Sequence, residues 1–228
     1  MTPQHAAAHG RSRAPVSKLS LDLVVETALG VLDAEGLGAV TTRRVARELG
    51  TGQASLYAYV RNKDELLAKV LEKVLADIPL PTARGTWQQR LMRYGRQTRK
   101  GLLAHPGIAA VALASAPAGT AALVRGEWML GLLRSAGLPD PVVAMAVDNL
   151  WLFVIASASE EELRSHPASD GHDCWWSRPV TGSGEEPDGA FPHTVALRPL
   201  LTSGSSQERF EFGLRLMVQG LEASLPDQ

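Results

Sequence analysis

A single cysteine, Cys174, stands in a chain of 228 residues. No internal disulfide can therefore form, and no CxxC cluster is present to hold a metal. Uninterrupted apolar stretches such as Leu150–Ala158 fall short of the roughly 20 residues that a membrane span needs. The opening MTPQHAAAHGRSRAPVSK lacks the apolar core of a secretory signal. Strand-like alternation, internal repeats, a P-loop, a nucleophile elbow and a dinucleotide fingerprint are all missing. These gaps predict a soluble cytoplasmic protein with no cofactor, no metal and no membrane partner, and argue against an enzyme. What remains is 45% hydrophobic and 21% charged, a globular composition rather than a disordered one.

The net charge of −1 gives no hint of nucleic acid, but its distribution does. Residues 1–63 carry eight basic and five acidic side chains, a net of +3, whereas residues 64–228 carry fifteen and nineteen, a net of −4. A basic N-terminal quarter sits on an acidic body.

Residues 1–17 read as a disordered tail. From Ser20 onward the periodicity is helical. Leu23, Val24, Thr27, Ala28, Val31 and Leu32 share one face, Ser20 is placed as N-cap and Gly36 as stop. Thr41 or Thr42 opens a second helix closed by Gly50, and Gln53–Tyr59 form a very short third. Asn62 opens a fourth, with Glu65 as reciprocal partner in a capping box, and Pro79 and Pro81 end it. Further helices are expected over 87–104, 107–115, 120–136, 141–164 and about 207–225. The intervening His166–Ser206 is polar, without period, and reads as a loop. The fold class is all-α, with a three-helix N-terminal domain over 18–78 and a larger helical domain over 79–228.

Two short helices joined by a tight turn form a helix-turn-helix, whose second helix fits the DNA major groove. The outward residues have the matching chemistry. Thr41, Thr42, Arg43 and Arg44 cluster at a helix start, where free amides and the dipole favour phosphate. The short helix presents Gln53, Ala54, Ser55, Tyr57, Ala58 and Tyr59, with Leu56 and Val60 facing inward. Gln and Arg can bond adenine and guanine edges, and hydroxyls can take phosphates or bases. Lys63 is placed for a phosphate. Two roles stay open for Tyr57, DNA contact or packing of the small domain, and for Arg43 the alternative to DNA contact is a solvated charge.

The run TTRRVARELGTGQASLYAYVRNKDELLAKVL resembles the DNA-binding segment of TetR/AcrR-type transcriptional regulators. The Thr-Thr-Arg entry, the Ala-x-x-Leu-Gly turn, the Leu-Tyr-x-Tyr-Val stretch and the Asn-Lys-x-x-Leu-Leu start carry the likeness, over about residues 20–75. RFEFGLRLMVQGLEASL is similar to the end of a TetR-type C-terminal domain. The resemblance implies base reading by Arg43 and Gln53, phosphate or mixed contacts by Thr42, Ser55, Tyr57, Tyr59 and Lys63, and at most thymine-methyl contact by Ala54 and Ala58. It also implies a repressor that binds double-stranded, palindromic operator DNA as a homodimer.

For that dimer the last helix offers Phe210, Leu214, Met217 and Leu221 in one apolar line, with Gly213 and Gly220 allowing close approach. The 141–164 helix adds Val143, Val147, Leu150 and Val154. The same stripes also suit packing inside one protomer. The family further implies a cavity for a small-molecule effector. Suitable lining is Trp128, Met129, Met145, Trp151 and Phe153, with Trp87 behind them and Asn149 and Asp148 as orienting polar groups. Each of these also suits a plain core. Val111–Pro117 lines up with the turn where tetracycline-binding members place a metal-ligating His; Ala112 stands there, which argues against a magnesium–tetracycline effector. Two further features read as surface: the run Glu160–Glu162 as a solvated acidic face, and His172, Asp173 and Cys174 as loop residues. The expected function is a ligand-responsive regulator released from DNA by a small apolar or aromatic effector. The rival is a regulator with no effector, governed by a protein partner or by its own abundance.

Overall fold

The computed structural model describes residues 19–115, 119–165, 191–201 and 203–226. Among them the backbone forms only helices, and local capping chemistry starts several of them. Ser20 Oγ accepts from the Leu23 amide at 3.2 Å to open α1 (Leu21–Glu35), and Gly36, at φ 80°, turns the chain out of it. Thr41 Oγ1 accepts from the Arg44 amide at 3.0 Å to open α2 (Thr42–Glu48). Gly50, at φ 63°, makes the tight turn toward α3 (Gln53–Leu56), a left-handed conformation that favours glycine. The third helix is shorter than its expected span and finishes as a turn through Tyr59.

Asn62 Oδ1 accepts from the Glu65 amide at 2.8 Å to open α4 (Lys63–Asp77). The expected capping box is displaced by one residue. The Glu65 carboxylate accepts from the backbone and side chain of Arg61, at 2.7 and 3.0 Å, instead of from the Asn62 amide. Complete boxes stand at Thr86/Gln89 before α5 (Trp87–Leu103) and at Ser205/Glu208 before α10 (Ser206–Glu222). Between them lie α6 (Ile108–Ala114), α7 (Thr120–Ser135) and α8 (Asp140–Ser165). The stretch expected to be all loop contains α9 (Pro192–Leu201), which buries no residue and exposes Val195, Leu197 and Leu200. The N-terminal tail and the loop residues His172, Asp173 and Cys174 lie outside the described residues.

Two apolar cores form. The first joins α1–α4 to Leu102, to Ile108, Val111 and Ala112 of α6, and to Ile155 and Ala158 of α8. The second joins Leu91 and Met92 of α5, Leu132 and Leu133 of α7, Val143, Leu150 and Val154 of α8, and Phe210, Leu214 and Val218 of α10. The helix-turn-helix is therefore not an isolated bead. Its core runs on into α6 and the C-terminal third of α8.

By length and composition α8 is long and apolar enough to cross a membrane, over Asp140–Arg164 at hydropathy 1.7; reading uninterrupted stretches alone underestimated it. Its Val143, Leu150, Val154 and Ile155 are core residues here. The polar cross-links are buried with it. Arg99 of α5, almost fully buried, donates to Ser157 Oγ at 3.1 Å, to Gln207 Oε1 at 2.7 Å and to Glu161, tying α5 to α8 and α10. The acidic run is thus only partly a solvated face. Glu161 pairs with Arg99, and Glu162 lies half-buried with Oε1 unpartnered.

Candidate nucleic-acid interface and effector cavity

On the helix-turn-helix surface, the side chain of Gln53 donates through Nε2 to Thr42 Oγ1 and to Tyr57 Oη, each at 3.0 Å. These bonds brace the first residue of α3 against the start of α2. Ala54, Ser55, Tyr57 and Ala58 are exposed beside it, with Arg43 and Arg47 exposed across a shallow polar groove. Lys63 is exposed at the start of α4. Arg47 was not among the expected contacts; its place on the outer face of α2, one turn after Arg43, is the signal that would have found it.

Two further expected DNA contacts are tied to other parts of the head. Arg44 forks between Glu35 (2.5 Å) and Glu48 (2.6 Å), and those carboxylates hold its pKa above the ordinary arginine value. Arg44 thereby fastens the end of α1 to α2. Tyr59 packs its ring on the first core and donates its hydroxyl to the Leu19 carbonyl at 2.7 Å, anchoring the chain that enters α1.

A cavity of about 460 Å³ opens between α5, α7 and α8, within the size range of small-molecule sites. Met129, Leu130, Val147 and Trp151 give it apolar walls, Tyr94 and Arg125 line it from α5 and α7, and Asp148 and Glu127 are exposed residues of its lining. Of the expected lining residues, Trp151 and Met129 line this cavity. Trp128 does not line the cavity; it stacks on Tyr94, centroids 5.2 Å apart. Phe153 stacks on Phe210 at 5.5 Å. Met145 is 61% exposed and lies with Asn149 in a separate groove against Met217, Gly220 and Leu221 of α10. Asn149 bonds the Met145 carbonyl at 2.8 Å. Four of the six expected lining residues thus lie elsewhere, because consecutive positions on one helix point to different neighbours.

Tyr94 and Arg125 were missed. Burial pushes the Tyr94 phenol above its ordinary pKa, while the nearby Arg125 and Thr98 pull it the other way. Arg125, 3% exposed, donates through Nε and Nη2 to the Leu75 carbonyl at 2.9 and 2.6 Å and through Nη2 to the Ile78 carbonyl. It closes the C-terminus of α4, where carbonyls lack helical partners and the dipole is negative. One turn earlier on α7, the Glu72 carboxylate accepts from the Ala121 amide at 2.6 Å. Two polar clasps therefore tie α4, the last helix of the head, to a wall of the cavity.

The expected dimer residues also divide. Val143, Phe210 and Leu214 are buried inside the protomer, and Val147 lines the cavity. Gly213 makes its close approach within the protomer, to the Phe153 ring: an added Cβ would stand 2.6 Å from it. Met217, Gly220 and Leu221 reach the outer groove, beside Met145, and the core residue Leu150 forms part of its lining. The exposed apolar stripe of these two helices is instead Met145 and Leu152 on α8 with Phe212 and Leu216 on α10. Ala112 is buried in the first core, on α6 rather than in a turn.

Residues 24–70 match the family described as bacterial regulatory proteins, tetR family, and residues 79–225 match the tetracyclin repressor-like C-terminal domain. The chain belongs to the TetR family. It is 33% identical over 217 residues to the HTH-type transcriptional repressor DrrR1 of Streptomyces coeruleorubidus, spanning 92% of this chain and 80% of that one. To the class E tetracycline repressor protein of Escherichia coli it is 29% identical over 218 residues, 93% of this chain and 95% of that one. Among solved structures, apo ActR of Streptomyces coelicolor superposes with a TM-score of 0.81 at 38% identity, over 92% of this chain and 100% of that one. ActR in complex with actinorhodin superposes with a TM-score of 0.81 at 39% identity, with the same coverage. As a TetR-family member the chain is a DNA-binding transcriptional regulator and not an enzyme.

Proposed function

We propose that this TetR-family regulator is a ligand-responsive repressor that binds a palindromic operator as a homodimer in the cytoplasm and is released by a small, largely aromatic molecule. The head supplies Gln53, Ser55 and Tyr57 on α3, with Arg43, Arg47 and Lys63 around them for phosphates or base edges. A head of three helices reads too few bases alone, so two must act on half-sites about one helical turn apart. The stripe Met145, Leu152, Phe212 and Leu216 offers the apolar area for that pairing.

One observation carries the ligand response. The cavity wall α7 is clasped to α4 by Arg125 and by Glu72. A molecule that displaces α7 displaces α4, and so changes the spacing of the two heads. That is the differential contact a ligand needs to shift an equilibrium. The relatives support this reading: DrrR1 bears the name of a repressor, and ActR has been crystallised with actinorhodin and with (S)-DNPA. Ala112, packed in a core, offers nothing to a metal-bound tetracycline.

Fluorescence anisotropy on DNA from upstream of its own gene, against scrambled DNA across a salt series, tests the proposal. A strong preference for one two-fold site supports it. Equal, weak binding abolished by modest salt would leave only the non-specific phosphate attraction.

A further inference from the structure

The cavity between α5, α7 and α8 has apolar walls and an acidic, exposed edge. Met129, Leu130, Val147 and Trp151 form the walls, and two carboxylates line the same space, Glu127 from α7 and Asp148 from α8. Both acidic residues are exposed. Among the described residues neither makes a hydrogen bond or an ion pair. Three other acids of α8 are neutralised where they stand: Asp140 by Arg134 at 2.8 Å, Glu160 by Arg164 at 2.6 Å, and Glu161 by Arg99. The one cation in the described lining is Arg125, which is 3% exposed and turns Nε and Nη2 to the carbonyls of Leu75 and Ile78. A bound molecule therefore meets two exposed carboxylates and no exposed cation. A carboxylate beside an apolar wall holds a cation more strongly than one in open water, because a molecule seated on that wall displaces part of the water that screens the pair.

We propose that the cavity takes a cationic aromatic molecule, whose ring lies along Trp151, Met129 and Val147 while its ammonium group is held by the Glu127 and Asp148 carboxylates. The inference rests on the effector reading above and specifies its chemistry. A neutral aromatic would cover the walls and leave both carboxylates unanswered, and an anion would meet like charge. One carboxylate belongs to α7 and the other to α8, so a cation held by both fixes against α8 the same wall that is clasped to α4.

Isothermal titration of the full chain with three probes that share one ring system tests this: 2-naphthylmethylammonium, 2-naphthylmethanol and 2-naphthoate. The ammonium is expected to bind about three- to tenfold more tightly than the alcohol, as two partly exposed ion pairs acting together supply, and the naphthoate more weakly than either. The ammonium's advantage shrinks when salt is raised from about 0.05 to about 0.5 M. Asp148→Asn and Glu127→Gln, both at exposed positions, each narrow the ratio of ammonium to alcohol affinity about two- to threefold, and the double variant brings it to about one. Equal binding of ammonium and alcohol, tighter binding of the naphthoate, or a ratio that neither substitution moves overturns the inference and leaves the aromatic-effector reading standing. Failure of all three probes to bind removes the two together.

Discussion

Arg125 on α7 donates twice to the carbonyl of Leu75 on α4, at 2.9 and 2.6 Å. It also lines the cavity. One side chain thus touches both the cavity and the helix that carries the reading head. The second clasp, Glu72 on the Ala121 amide one turn earlier, fixes the start of the same wall.

The Glu72 clasp substitutes for a missing local cap. The N-cap of α7 is Gly119, which supplies no side-chain acceptor, so the carboxylate from α4 satisfies one of its free amides. Glu72→Ala is expected to cost about 1 to 2 kcal/mol, as loss of an N-cap does. The urea midpoint falls while the slope of the transition stays constant.

At Gly101 on α5, an added Cβ would collide with the Ile78 side chain at the C-cap of α4. Gly101→Ala should destabilise by about 1 to 3 kcal/mol through overpacking. Pairing it with Ile78→Ala, which removes the obstructing atoms, should recover part of that loss in a double-mutant cycle.

The head yields a contrast between two neighbouring roles. Arg43→Ala should lower operator affinity by about 1 to 3 kcal/mol if it reads a base edge, with the melting temperature unchanged. Tyr59→Phe, which loses the bond to the Leu19 carbonyl, should cost about 1 kcal/mol of stability and leave the preference among operator sequences as it was. Anisotropy and thermal melts on both variants separate reader from brace.

Glu162 gives a pH signature. Burial raises its carboxyl pKa, opposed by the backbone of Gly107. The folded state therefore holds this proton more tightly than the unfolded chain. Its contribution to stability is full below the unfolded pKa and is lost as pH rises through the raised folded value. Glu162→Gln should accordingly raise the melting temperature at pH 7 and leave it nearly unchanged at pH 4. Equal gains at both values would contradict the assignment.

The parts legible in the sequence were those fixed by local chemistry. Ser20, Thr41 and Asn62 announce helix starts and Gly36 and Gly50 announce stops, because capping needs only residues three or four apart. The long periodic helices were legible for the same reason. Tertiary choices were not. The last helix carries two apolar lines, Phe210/Leu214 and Phe212/Leu216, and periodicity alone does not say which faces inward. Gly95 of α5 decides it: an added Cβ there would stand 2.8 Å from Leu214, so α5 packs closely on that line and leaves the other exposed. Arg125 sits among leucines like any surface arginine, and only the fold sets its guanidinium against α4. The ten residues of α9 bury nothing, so no one-sided pattern marked them.

Under the proposed function, the cavity sets the separation of the two heads. Gly126 lines the cavity, and an added Cβ there meets nothing within 4 Å, so Gly126→Phe fills the space without a ligand. Spin labels on Ala34→Cys, in a Cys174→Ser background, report the head separation in the dimer by double electron–electron resonance. Filling the cavity is expected to move the distance distribution by several ångströms from the one seen on operator DNA, where half-sites lie about 34 to 36 Å apart. Superimposable distributions, or no dipolar coupling at all, would contradict it.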